Sequence, residues 1–447
     1  MPDTPPASAP SPAAPAPHRR RPLPRWLHRG FWRRKVVFIL GACVIGLLSA
    51  GFAWAADLAQ HWFSLLRATA PLAVLPLTVI GFIAAARATA IWFPTARGSG
   101  IPQVIAARES PDLARRSELI GGTSTLWKVA LTLLGLLFGA SIGREGPTVQ
   151  LGACVMFLFG RYAGLRKPQG LVLAGAAAGI AAAFNTPLAG IMFAIEEMAK
   201  SYEKRISGLI IAAVVVAGAV SISLLGNYKY FGNTDITTGF TRAMIYAVCC
   251  ALICGLAGSG FSYALLGLGR LYRRGLNCAP QKWRRILPYA VPALCGLIVA
   301  LAGYLTDGYA NGTGYEQTKL ALSAGQALPV WHGPLKLLAT LASSLSGLPG
   351  GLFSPSLSVG AGLGATISDL LPAGWIPPAD LSTVMLLATA AYFAAVVQSP
   401  LTAFVIVTEM TVSNGLLVPL LTTTFIAAGL SHLLTREPLY HALAQQF

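Results

Sequence analysis

Gly143-Arg144-Glu145-Gly146-Pro147-Thr148-Val149-Gln150-Leu151-Gly152-Ala153 aligns without a gap on Gly351-Leu352-Phe353-Ser354-Pro355-Ser356-Leu357-Ser358-Val359-Gly360-Ala361, 208 residues further on. Both read G-x-x-x-P-S/T-V/L-x-L/V-G-A. A second pair follows in the same order: Asn185-Thr186-Pro187-Leu188 leads to Glu196, and Gln398-Ser399-Pro400-Leu401 leads to Glu409, now at an offset of 213. In each case the proline and the glutamate are nine residues apart. Two ordered blocks at nearly one offset divide the chain into halves of about residues 36–226 and about 240–434. Repeated halves are a common plan of membrane transporters, with the site between them. Inverted topology is the expected relation of the halves, and parallel repeats are the alternative.

Composition points the same way. The chain has 447 residues, 55% of them hydrophobic and only 11% charged, where soluble proteins carry roughly 25% charged residues. Apolar runs recur from Val36 to Leu434. At roughly 20 residues per span, the length allows on the order of ten crossings and leaves no room for a large soluble catalytic or ligand-binding domain. The fold class expected is an all-α polytopic membrane protein of tilted and broken helices.

Lys and Arg outnumber Asp and Glu by 33 to 16, a net charge of +17. Arg19, Arg20, Arg21, Arg25, Arg29, Arg33, Arg34 and Lys35 all precede the first apolar run, and such a cluster holds an N-terminus on the cytoplasmic side. The other use of a basic arm, nucleic-acid binding, needs a soluble protein attached to it, so no nucleic-acid partner is expected. Residues 1–17 are mostly Pro, Ala and Ser and lack the apolar core of a signal peptide. Residues 1–32 are therefore expected to form a disordered basic cytoplasmic segment. The seven cysteines form no C-x-x-C pair and the six histidines no H-x-x-x-H pair, so neither a metal site nor a cofactor is expected. A membrane-embedded hydrolase, the reading from another functional class, needs such a cluster or a nucleophile with its base.

Apolar segments are broken by Gly and Pro at residues 98–102, 143–147 and 347–355. Irregular backbone is costly in lipid unless it is buried in protein or lines a cavity. Each break is followed by an apolar helical stretch and so presents a helix N-terminus with unpaired N–H groups, which attracts anions. Single glycines such as Gly175 and Gly179 are read as allowing close helix packing. Three Gly-plus-Pro breaks together are read as the candidate pore.

The informative residues are those where the halves differ. Glu145 falls opposite Phe353, and an ionisable group inside a membrane marks an ion or proton path by default; its structural alternative is pairing with Arg144. Glu196 matches Glu409, as a shared capping role would require, whereas Glu197 falls opposite Met410. Glu197 precedes the polar run 200–205, near one membrane face, where it is either a proton-exchanging acid or a solvated carboxylate at a span end. Lys128 lies in an apolar stretch and is expected to snorkel or to pair with an acid such as Glu109.

Gly98-Ser99-Gly100-Ile101-Pro102, Gly143-Arg144-Glu145-Gly146-Pro147, Gly351-Leu352-Phe353-Ser354-Pro355 and Pro438-Leu439-Tyr440, in this order, resemble the motifs of the CLC chloride channel and transporter family. The resemblance runs from about Arg33 to the C-terminus. It implies a transmembrane domain over 33–447 with inverted repeats and a C-terminal pore helix at about 437–446. It further implies a homodimer with one pore per subunit, and, since the sequence ends seven residues after Tyr440, no nucleotide-binding CBS pair. By the same resemblance the Ser99 and Tyr440 hydroxyls and the backbone N–H groups of Leu352 and Phe353, with Gly100 and Ile101, bind chloride. Gly98, Pro102, Gly143, Arg144, Gly146, Pro147, Gly351 and Lys128 support that site. Glu145 is the external gate and proton carrier, and Glu197 the internal proton-transfer residue.

Family members divide into passive channels and proton-coupled antiporters. Antiporters often carry an inner glutamate where Glu197 stands, so the resemblance implies chloride/proton exchange, with a voltage- or pH-gated channel as the alternative. Nitrate-preferring relatives tend to have proline at the Ser99 position, and the fluoride branch departs from the Ser99 and Tyr440 pattern, so chloride is the expected anion. One departure is that Gln103 and Ile105 are neutral where bacterial relatives often have acids, which leaves the inner proton route open. A bacterial inner membrane is the expected location.

Overall fold

Long runs without charge fold as helices because in lipid only a helix or a closed barrel pairs every backbone group internally. The computed structural model describes residues 29–164, 168–199, 204–226, 229–232, 238–278, 280–326, 328–372, 374–411 and 414–447. The cluster Arg19, Arg20, Arg21 and Arg25 lies outside the described residues. In the first half the helices are α1 (Arg29–Thr69), α2 (Pro71–Trp92), α3 (Ile101–Glu109), α4 (Leu113–Ile120), α5 (Gly122–Leu137), α6 (Glu145–Tyr162), α7 (Pro168–Phe184), α8 (Pro187–Phe193) and α9 (Lys204–Leu225). In the second they are α10 (Phe240–Cys278), α11 (Gln281–Leu305), α12 (Tyr315–Ala324), α13 (His332–Leu345), α14 (Phe353–Leu370), α15 (Leu381–Val397), α16 (Pro400–Met410), α17 (Leu417–Leu434) and α18 (Leu439–Ala444).

Helix α1 begins at Arg29, so the last residues of the expected disordered segment 1–32 are helical. Arg is a good helix former, and extending an existing helix by a turn costs far less than starting one. Seven helical stretches among the described residues are long and apolar enough to cross a membrane, with three shorter apolar helices at Gln169–Phe184, Ile210–Leu225 and Pro400–Met410. Helices α1 and α10, with 41 and 39 residues, are about 60 Å long at 1.5 Å per residue. A hydrocarbon layer of about 30 Å accommodates such lengths only if they tilt or project.

Helix α7 packs along α6, and a Cβ on Gly175 would stand 2.2 Å from the Gly152 carbonyl oxygen, so only glycine lets these backbones approach. The backbone also repeats itself. Asn185 and Gln398, just before α8 and α16, both hold φ of 58°. Gly312-Thr313-Gly314 ahead of α12 echoes Gly98-Ser99-Gly100 ahead of α3, and all four glycines have positive φ.

Candidate functional site

The three breaks meet. Gly143 and Gly351 exchange a pair of backbone hydrogen bonds, each 2.7 Å, and the Gly350 N–H donates to the Gly98 carbonyl at 3.2 Å. These bonds gather the starts of α3, α6 and α14, and α18 packs against α3 beside them. Gly100 holds φ of 108°, and a Cβ there would stand 2.6 Å from the Gly146 carbonyl oxygen. Glycine is required both by the angle and by the approach.

Glu145 is the first residue of α6 and is fully buried. Its side chain folds back over Gly143, where a Cβ would stand 2.3 Å from Oε2, and reaches the first turn of α14. There Oε1 accepts from Ser354 Oγ at 2.5 Å and Oε2 from the Ser354 N–H at 3.4 Å. The Ser354 hydroxyl lies 3.2 Å from the Tyr230 hydroxyl. A carboxylate thus occupies a helix N-terminus, where an anion is favoured. Arg144 is not its ion-pair partner. The Arg144 Nη1 donates to the Ala53 carbonyl at 2.8 Å and to Asp57 Oδ1 at 2.7 Å, because neighbouring residues on a helix do not face each other.

Deeper in, the Ser99 and Tyr440 hydroxyls are buried and turned toward each other, and among the described residues neither has a partner within hydrogen-bond distance. Buried polar groups are nearly always paired, so each such orphan calls for an explanation. The Ser99 hydroxyl lies over Gly146, where a Cβ would stand 2.5 Å from it. Phe353 packs edge-on to Phe393 and Phe193, with centroids 4.9 and 5.8 Å away, and 5.8 Å from Tyr440. Leu352, Ile101 and Pro102 are buried around the same point. A cavity of about 80 Å³ reaches Ser99 and Leu352 from one face, with Arg97 and Arg273 in its lining.

Lys128 neither snorkels nor pairs with Glu109. It is fully buried, and its Nζ donates to the Gly98 carbonyl at 3.2 Å, which places an amine directly behind the Ser99 turn. The neutral residue Gln103 closes the same turn. Its Oε1 accepts from the Gly100 N–H at 3.1 Å while Nε2 donates to the Thr95 and Arg97 carbonyls at 3.0 and 2.5 Å. A carboxylate could only accept, so the amide is what this turn needs.

Glu197 lies in a π-helical turn, Ala194–Ala199, that continues α8. It is 3% exposed, and Oε2 accepts from Ser399 Oγ at 2.6 Å. Its carbonyl oxygen lies 3.0 Å from His441 Nε2, next to Tyr440 on α18. The matched pair behaves differently. Glu196 accepts from the Leu401 and Thr402 N–H groups of α16, and Glu409 from the Leu188 and Ala189 N–H groups of α8. Each glutamate caps the helix of the other half.

The structure brings Ser99, Gly100, Ile101, Glu145, Gly146, Leu352, Phe353 and Tyr440 together, with Lys128 behind them, and sets Glu197 on the turn after α8, bonded to α18 through His441 rather than to those helix starts. Sequence reading missed Asp57, Tyr230, Ser354 and Lys336. The Lys336 Nζ donates to the Ala310, Asn311 and Gly312 carbonyls at 3.0, 3.0 and 2.8 Å. It stands 208 residues after Lys128, the offset of the first motif pair, and that offset was the signal that could have found it.

Converging helix N-termini deep in a bundle that spans a membrane define an integral membrane protein that handles a small anion. A family model described as voltage gated chloride channel matches residues 80–432. The chain belongs to that family, the CLC proteins. It is 29% identical to an H(+)/Cl(-) exchange transporter ClcA of Citrobacter koseri, covering 91% of this chain and 88% of that one. It is 30% identical to a ClcA of Klebsiella pneumoniae subsp. pneumoniae, covering 88% and 81%. Among solved structures, a slow cyanobacterial Cl-/H+ antiporter is similar in fold, with a TM-score of 0.75 at 24% identity over 93% of this chain and 97% of that one. A CLC-type fluoride/proton antiporter has a TM-score of 0.71 at 23% identity, over 89% and 95%.

Proposed function

We propose that the protein is a secondary active antiporter that moves chloride across the membrane in exchange for protons. The observation that carries this reading is the Glu145 carboxylate seated on the N-terminus of α14. The relatives named as H(+)/Cl(-) exchange transporters favour exchange over a passive channel. Chloride is held by the Ser99 and Tyr440 hydroxyls and by the N–H groups of Ile101, Leu352 and Phe353 at the starts of α3 and α14; Gly100 shapes the approach, its own N–H being taken by Gln103. Lys128 holds the Gly98 carbonyl from behind without touching the ion. Glu145 competes with chloride for the outer part of this path. Taking up a proton neutralises its carboxylate, weakens the two bonds to Ser354 and lets chloride replace it.

Protons reach Glu145 from the other face by way of Glu197, which the Ser399 hydroxyl orients. The route between them crosses an apolar gap beside Phe353 and Tyr440, separate from the inner chloride entrance. The two repeats, about 36–226 and about 240–434, place this path at their boundary. The protein works as a homodimer with one path per subunit, in a bacterial inner membrane with its N-terminus cytoplasmic. Supporting the dimer, the exposed Leu188 and Leu401 lie on α8 and α16, which the crossed Glu196 and Glu409 caps hold side by side.

The test is simultaneous chloride and proton flux from reconstituted liposomes. A chloride gradient should drive protons uphill against their own gradient. Chloride flux with no uphill proton movement would reduce the protein to a channel and Glu197 to a structural acid.

A further inference from the structure

A cavity of about 450 Å³ opens between the ends of α10, α17 and α18, lined by Arg270, Arg273, Arg436 and Glu437 on its polar side and by Tyr263, Leu266 and Leu434 on its apolar side. Tyr263 and Leu434 are 67% and 54% exposed, and they continue the apolar outer surface of α10 and α17. Three guanidinium groups face one carboxylate, and among the described residues none of the three is in an ion pair. The surrounding surface has the same sign. Between Arg270 and Arg285 the chain carries Arg273, Arg274, Lys282 and Arg284 besides, and no acid. A basic pocket next to an apolar, aromatic-edged surface at the end of membrane helices matches a ligand with a phosphate head and hydrocarbon chains.

We propose that this cavity binds the phosphate of an anionic phospholipid. Arg270 on α10 and Arg436 in the turn between α17 and α18 hold the phosphodiester, and the Tyr263, Leu266 and Leu434 side takes the first methylenes of the acyl chains. Arg273 couples the lipid to the transport path. It lines both this cavity and the one that reaches Ser99, and its Nη1 donates to Gln446 Oε1 at 2.6 Å, beside the end of the helix that carries Tyr440. A lipid phosphate that draws on Arg273 therefore changes the charge at the inner mouth and the hold on α18. The proposal is independent of which ion is exchanged and of the roles given to Glu145 and Glu197.

The experiment counts lipids retained per subunit by native mass spectrometry, which reads nothing from transport. Purified protein is exchanged from phosphatidylcholine into mixtures with phosphatidylglycerol. Three proteins are compared: the wild type, Arg270→Gln with Arg436→Gln, and Lys282→Gln with Arg284→Gln, which removes the same charge outside the cavity. The wild type and the outside double variant should hold one more phosphatidylglycerol per subunit than the cavity variant. The cavity variant's affinity should be roughly thirtyfold weaker, about fivefold for each basic side chain withdrawn. Equal retention by all three, or equal loss in both double variants, would overturn the proposal. Thermal protection by inorganic phosphate alone, equal to that by phosphatidylglycerol, would overturn it in favour of a soluble anion.

Discussion

Replacing Glu145 by glutamine changes shape least and chemistry most. The carboxylate now accepts twice from Ser354, through Oγ at 2.5 Å and the backbone N–H at 3.4 Å. An amide has one acceptor atom. Keeping its oxygen on the Ser354 hydroxyl turns its NH₂ towards the Ser354 N–H, donor against donor. One bond is lost, and the other falls from a charge-assisted bond of about 1.5–3 kcal/mol to a neutral one of about 0.5–1.5 kcal/mol. The tethered group therefore loses on the order of 1.5 kcal/mol or more of its hold on the α14 terminus, which corresponds to roughly tenfold in competition with chloride.

Two outcomes follow from this arithmetic. Chloride affinity measured by calorimetry in detergent should rise by about tenfold. Proton movement in liposomes should fall to background while chloride flux persists, because an amide carries no proton across. The reasoning fails if E145Q still pumps protons at the wild-type ratio, since no gate built on this carboxylate could then be the carrier. Abolished proton movement with unchanged chloride affinity would keep the carrier and refute the competition.

Glu197→Gln keeps an acceptor for the Ser399 hydroxyl, so the fold and the chloride affinity should hold while proton coupling is lost; wild-type uphill pumping in this variant removes Glu197 from the path. Tyr440→Phe deletes one orphan hydroxyl and leaves the ring against Phe353. Its chloride affinity should fall by roughly tenfold to a hundredfold, the worth of one hydrogen bond to a charged group, and an unchanged calorimetric affinity would clear the hydroxyl of contact with the ion. Lys336→Met strips the shared donor from three buried carbonyls, at about 1–3 kcal/mol for each group left unpaired. Thermal unfolding in detergent should shift down by several degrees with chloride affinity intact; an unchanged midpoint would mean that the Ala310–Gly312 carbonyls find other partners.

The breaks were legible because Gly and Pro interrupt charge-poor runs, and such interruptions have few uses in lipid. Glu145 was legible because its partner in the alignment is Phe353, and Glu196 and Glu409 because they match. What each side chain touches was not. Arg144 bonds Asp57, 87 residues away, and Glu145 bonds Ser354, 209 residues away. A contact of that range depends on how helices pack, which a pattern along one helix does not encode. Lys128 shows the limit most plainly: an apolar stretch around a lysine suggests snorkelling, yet the Gly98 carbonyl provides a buried partner that only the folded turn creates. Gln103 is the converse. It looked like a departure from an acidic pattern, and it proves to be the side chain that closes the Ser99 turn with a donor that no acid has.

Matched and mismatched residues divide the work in this molecule. Where the halves agree, the side chains satisfy backbone: Glu196 and Glu409 each take two N–H groups of the opposite helix, and Gly143 and Gly351 exchange two bonds. A carboxylate so engaged faces two backbone donors that cannot turn round to accept, so an added proton would displace at least one of them. Where the halves disagree, a side-chain hydroxyl takes part, on Glu145 beside the Ser354 N–H. Glu145 and Glu197 each take a serine hydroxyl, and a hydroxyl can rotate to accept from a protonated acid, in a weaker neutral bond than the one it donates to a carboxylate. Such a partner serves both protonation states, which a backbone N–H cannot do. The pairing of each mismatched glutamate with a serine of the other half, Ser354 for one and Ser399 for the other, thus distinguishes these two acids from the two that cap a helix, and under the proposed exchange it is what lets them change charge.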